Sequence, residues 1–217
     1  MSVSVTENNV YISEVMNYPE ARSRICIRVL NYEHNRESVD EFPHIVEEDL
    51  AVVFCYLPEE SAAQEHDLRR PQLITLHDLK NWEIDVFRLY RDAVITSVEL
   101  RPPFLAPMRR LLGLPDEREE GEIPMYVLSC RDAQYGASVL FYPEVLSRIA
   151  EGLHDDIYII PSSIHELILL RAGDVDDPES LRTMIRDINR TEVLPGDVLS
   201  DSLYYYDRGR DVLKRTV

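Results

Sequence analysis

The run DLAVVFCYL, residues 49 to 57, sets the tightest constraint on the fold. From Leu50 to Leu57 every residue is apolar or aromatic, and several are β-branched. A run this short with no polar face reads as a strand covered on both sides, hence central in a sheet. Its neighbours must supply pairing strands and covering helices. QLITL, 72 to 76, is the nearest pairing strand. The intervening PEESAAQEHDLRRP is too polar for a packed crossover helix, so the two strands form a hairpin.

Other segments fill in an α+β pattern. Pro19 at a first turn, followed by Ile25, Val29 and Leu30, predicts a helix over 19–41. Leu79, Trp82, Val86, Leu89, Tyr90 and Ala93 make one helical face. RPPF at 101–104 breaks that helix, LAPMRRLLG gives a short helix ending at Gly113, and PDEREEGEIP is an acidic surface loop. MYVLSC and ASVLF read as strands, PEVLSRIAEGL as a helix, and DIYIIP and IHELILL as strands. An amphipathic helix starts at Pro178, and DSLYYYD closes with a strand. The expected fold is α+β, a mostly antiparallel or mixed sheet of about six strands with about five helices. The expected organisation is an extension over 1–18 and one domain over 19–217, with 114–123 as the place where it would divide.

Composition narrows the function. The formal net charge is −17, with 40 acidic against 23 basic residues. Such a surface repels phosphate, so neither direct nucleic-acid binding nor attachment to an anionic membrane is expected. It favours a basic protein partner. No apolar run reaches membrane-span length, and MSVSVTENNVY lacks the basic start and apolar core of a secretion signal, so a cytoplasmic location is expected. Cys26, Cys55 and Cys130 are far apart and set among apolar residues, which predicts reduced, buried thiols. No dinucleotide or P-loop glycine pattern, HExxH or Cys/His pairing occurs, so no cofactor and no metal is expected.

Several strings carry a family likeness. PMYVLSC, GASVLFYPEVL, DIYIIPSSIHELILL and VLSDSLYYYDR, in this order and spacing, resemble a bacterial family catalogued as domain of unknown function 5688. VLNYEHNRE, PHIVEEDLAVVFCYL and the Trp82 helix fit it too, so the resemblance runs over roughly 20–208. It implies occurrence in gut Firmicutes, often near mobile elements, and relatives with a longer N-terminal region. It brings an architecture and no established activity.

Two strings offer candidate site residues. In PSSIHEL, Ser162, Ser163, His165 and Glu166 are the candidate catalytic set for a hydrolase. Strand alternation through IHELILL would put Ser163, His165, Leu167 and Leu169 on one face. That arrangement buries His165 and sends Glu166 to the other face beside an arginine. Ser163 and His165 would then stand about 6.5 Å apart at Cα, long for a direct hydrogen bond. The bland reading is a turn whose hydroxyls close on backbone amides. In LSDSLYYYDRGR, Asp201, Tyr204, Tyr206, Asp207 and Arg208 form a candidate binding rim, and Glu117, Glu119 and Glu120 in the acidic loop join it.

The leading expectation is a non-enzymatic acidic protein that engages a basic partner. One version is an inhibitor of a nucleic-acid-binding host defence enzyme, its carboxylates imitating a phosphate backbone. The rivals are the Ser/His hydrolase and an oligomeric scaffold in which LYYYD pairs with a second copy as an edge strand.

Overall fold

The computed structural model describes residues 11–58, 71–115, 117 and 121–216. The fold is α+β, and its strands pair antiparallel in two sheets rather than one. The chain divides into two compact units, Met1–Pro102 and Pro103–Val217. That division falls at the prolines, ahead of the acidic loop at 114–123.

Unit 1 is built on the run that opened the sequence. The central strand, β3 (Leu50–Tyr56), is buried at every position. It pairs along its length with β1 (Ile25–Asn31) on one side, and on the other with β2 (His44–Glu47) and β4 (Gln72–Leu73). The hairpin expected from QLITL is therefore present, in shorter form. Fully burying a side chain such as Phe54 contributes about 1.5–3 kcal/mol. Cys26 lies directly opposite Cys55, and both thiols are free and buried, as is Cys130 in unit 2. Burial pushes the Cys26 thiol up to about 11, and burial likewise raises that of Cys55.

The helix expected over 19–41 is replaced by four elements. Helix α2 (Tyr18–Ala21) and a 3₁₀ turn at Arg22–Arg24 lead into β1, and α3 (Tyr32–Val39) follows it. Ile25, Val29 and Leu30 match a helical period, but Ile25, Ile27 and Val29 also alternate, and pairing with the fully apolar β3 decides for the strand. Asn31 ends β1 and caps α3, its Oδ1 accepting the His34 N–H at 2.7 Å.

Residues 11–18 belong to the unit and are no extension. Ile12, in α1 (Ile12–Val15), is buried. The Ser13 N–H donates to the buried Asp78 carboxylate at 2.8 Å, and Trp82 Nε1–H donates to the Met16 carbonyl at 3.1 Å. The helix expected from 77 onward is two helices, α4 (Leu76–Trp82) and α5 (Val86–Leu100). Glu83, with φ +54, turns the chain between them, and Asp85 caps the second.

Unit 2 holds a six-stranded sheet. Its strands are β5 (Pro103–Pro107), β6 (Met125–Cys130), β7 (Ile157–Ser163), β8 (Glu166–Arg171), β9 (Tyr204–Asp207) and β10 (Val212–Arg215). Their order across the sheet is β10-β9-β7-β8-β6-β5. RPPF ends α5 as expected, but PFLAP continues as β5, so α6 is only Met108–Leu111. Helices α7 (Val145–Leu153) and α8 (Pro178–Thr191) follow the sequence reading. On α8, Ile185 turns inward to join Ile160, Leu170 and Leu203 in the core. ASVLF is not a strand: Gly136–Phe141 coils into 3₁₀ turns beside β6.

Candidate binding surface

The PSSIHE segment is a tight hairpin end. Ser163 pairs with Glu166, so Ile164 and His165 form the turn, and strand alternation does not run through His165. Pro161, which cannot donate to a ladder, sits where the register shifts between Ile160 and Ser163. The Ser163 Oγ accepts the His165 backbone N–H at 3.0 Å, the hydroxyl-to-amide closure of a turn. The Ser129 Oγ–H donates to the His165 carbonyl at 2.8 Å.

The imidazole of His165 is occupied elsewhere. Its Nδ1 accepts the Tyr135 N–H at 3.1 Å, which leaves the ring proton on Nε2, 3.8 Å from Asp197 Oδ1. The side chain is 37% exposed and so half-buried, and it lies in the turn instead of on the strand face expected to bury it. Among the described residues no arginine pairs with Glu166, and no hydrogen bond joins the Ser162 or Ser163 hydroxyl to the imidazole. Gly136 packs against this turn so closely that an added Cβ would lie 2.0 Å from Ser129 Oγ and 2.5 Å from the His165 carbonyl.

The 201–208 segment is not an aromatic rim. Tyr204 is fully buried and Tyr206 nearly so, because β9 is flanked by β7 and β10 and turns both rings inward. The same pairing removes LYYYD as a sheet edge. Tyr205 faces outward and donates to Asp156 at 2.5 Å, which pushes its phenol up to about 12 and holds the Asp156 carboxyl below its usual range. Burial, then a hydrogen bond to Asp211, pushes Tyr206 up to about 12. Asp201 accepts from Asn189, Asp207 accepts the Arg210 N–H, and the Arg208 N–H donates to Asp156. These hydrogen bonds close loops.

Of the acidic loop, Glu117 is described and exposed, its carbonyl accepting from Arg109 at 2.8 Å. Glu119 and Glu120 lie outside the described residues.

Among the described residues a dense acidic surface lies in unit 1, away from the two strings that offered candidate site residues. Both units are acidic, with 19 acidic against 10 basic residues in unit 1 and 21 against 13 in unit 2, so overall charge does not choose between them. Local density does. Residues 31–49 hold seven acids and one arginine. Glu33 and Glu37 on α3, Asp40 and Glu41 just past its end, Glu47 at the end of β2 and Glu48 in the β2–β3 turn are exposed. Arg36, also exposed, approaches Asp40 at 3.9 Å. The face folds this way because Val39 of α3, with Tyr32 beside it, seals Ala51 and Val53 of the sheet and leaves Glu33, Arg36 and Glu37 to solvent. Glu48 takes φ +55 in the two-residue turn between β2 and β3, which directs the chain straight back.

The described residues contain no helix long and apolar enough to cross a membrane. They also contain no group of three or more His, Cys, Asp or Glu side chains arranged to hold a metal ion. No curated protein and no solved structure matches the chain. One family model does match, described as a family of unknown function (DUF5688), over residues 2–208, a span that includes the N-terminal residues packed into unit 1. By that match over nearly its whole length, the chain belongs to the DUF5688 family.

Proposed function

We propose that this chain is an acidic binding protein and that the face formed by α3 and the β2–β3 turn engages a basic protein partner. The observation that carries the reading is the set of six exposed carboxylates, Glu33, Glu37, Asp40, Glu41, Glu47 and Glu48, in a stretch whose one arginine is Arg36. Carboxylates crowded on one surface repel one another, and a cationic partner relieves that repulsion while the field steers its approach. A fitting partner is an enzyme whose basic groove ordinarily takes nucleic acid, the carboxylates standing where phosphates would. The PSSIHE turn supplies no contact that favours the hydrolase alternative.

The test is anisotropy of a labelled nona-arginine peptide at about 50 and about 300 mM salt, with and without charge reversal of Glu37, Glu41, Glu47 and Glu48 to lysine. The expected result is binding that weakens at least roughly ten-fold with salt and is lost in the charge-reversed protein. Equal binding by the two proteins would contradict the proposal.

A further inference from the structure

Five strands of the two sheets have an edge that no described strand covers, β1, β2, β4, β5 and β10, and β4 is only two residues long. Three are blocked. On β1 the Ile27 N–H is taken by Ser97 Oγ at 2.9 Å. β5 carries Pro103 and Pro107 at its two ends, and β10 ends in Lys214 and Arg215. Prolines and cations are the usual means of keeping an edge from pairing. β2, with the sequence HIVE, has neither.

The backbone groups that β2 leaves open can be assigned. The two-residue turn makes Glu47 and Leu50 a hydrogen-bonded pair, and Ile45 with Val52 is the next. The odd-numbered residues of β3 bond toward β1, as the Asp49 carbonyl does in accepting the Tyr32 N–H at 2.9 Å. The Phe54 carbonyl accepts the Ile74 N–H on the opposite side. His44 and Val46 therefore turn their N–H and C=O groups away from β3, to the open edge. Val46 is 40% exposed. The carboxylates flank this edge on both faces. Glu47 lies on one face of the strand, and on the other Asp40 stands 3.7 Å from His44.

We infer that β2 is a strand-addition site: an extended, arginine- or lysine-bearing segment of the partner pairs with the backbone of His44 and Val46. Charge complementarity selects this occupant. A second copy would bring its own Asp40, Glu47 and Glu48 up to this acidic edge, like charge against like, whereas a cation opposite Glu47 forms a favourable cross-strand pair and one on the other face meets Asp40. Main-chain bonds then fix the register and the carboxylates select the sequence. The inference rests on the acidic-face reading and adds a backbone requirement that charge alone does not impose.

The test compares a labelled peptide of alternating arginine and valine with the peptoid carrying the same side chains, which keeps the charge and lacks every N–H. The expected result at low salt is at least roughly ten-fold tighter binding of the peptide. Val46→Pro should bring the peptide down to the peptoid's affinity, because an edge N–H is lost without breaking the pairing to β3. Should that variant fail to fold, the comparison in the wild-type protein still decides. Equal binding of peptide and peptoid overturns the strand-addition site and leaves the acidic-face reading standing. Binding of neither overturns both. Self-association of the free protein that Val46→Pro abolishes would assign the edge to a second copy instead, which also overturns the inference.

Discussion

Replacing Gly136 with alanine forces a methyl group into the joint between β6 and the Ile164–His165 turn. The added Cβ would meet Ser129 Oγ at 2.0 Å, the His165 carbonyl at 2.5 Å and the Cys130 N at 2.7 Å. Two of these are backbone atoms, one in the hairpin turn and one in β6, and cannot swing aside, so the joint itself must open. Overpacking of this kind costs about 1–3 kcal/mol. The Ser129 hydroxyl must also leave the His165 carbonyl, which adds about 0.5–1.5 kcal/mol. The total, roughly 2–4 kcal/mol, is a large share of the 5–15 kcal/mol typical of a domain. Urea unfolding followed by far-ultraviolet circular dichroism measures it, with Gly152→Ala as the control. Gly152 sits inside α7 with nothing within 4 Å of an added Cβ, so alanine there should stabilise by about 0.5–1 kcal/mol. Equal stability of Gly136→Ala and wild type would refute this account of the joint.

Asp156→Asn should destabilise by about 1–2 kcal/mol near neutral pH, because the Tyr205 hydroxyl and Arg208 N–H lose their charged acceptor. The folded carboxyl lies below its unfolded range, so its contribution is full above the unfolded value and fades as pH falls through the folded one. Denaturation midpoints of the two proteins should therefore converge in acid, and a gap that persists there would contradict the assignment. Tyr204→Ala should cost about 3–5 kcal/mol, as for a buried aromatic, while Arg208→Ala on the exposed end of the same segment should stay within about 0.5 kcal/mol. Similar losses in the two variants would contradict the inward turn of β9. Ellman's reagent near neutral pH should label none of Cys26, Cys55 and Cys130 until denaturant is added, since all three are buried and the first two have raised thiol pKa values. Rapid labelling of the native protein would contradict their burial.

Much of the fold is legible in the sequence where one local signal dominates. DLAVVFCYL has no polar face and can only be an interior strand, and Asp177–Pro178 opens an amphipathic helix that the core accepts through Ile185. Legibility fails where two periods overlap. Ile25, Ile27, Val29 and Leu30 satisfy both helix and strand, and only the neighbouring β3 resolves them. ASVLF has strand composition, yet the close approach of Gly136 to Ser129 and His165 is a tertiary fact, and it coils the segment. The hydroxyl chemistry of PSSIHE is readable as a turn, whereas the side of the sheet on which His165 emerges depends on where the hairpin folds over. The charge of the chain is plain from composition. Its gathering around the β2 edge is not, because the α3 acids and Glu47 with Glu48 come to flank that edge only once α3 lies against β3.

The most direct test of the acidic-face reading is a map of where a basic ligand lands. Amide chemical shifts of the isotope-labelled protein would be followed while an unlabelled arginine-rich peptide is titrated in at low salt. The account predicts perturbations concentrated on residues 33–49, with His44 and Val46 amides among the largest. Shifts centred instead on the 201–208 segment or the Ser163–His165 turn would contradict it.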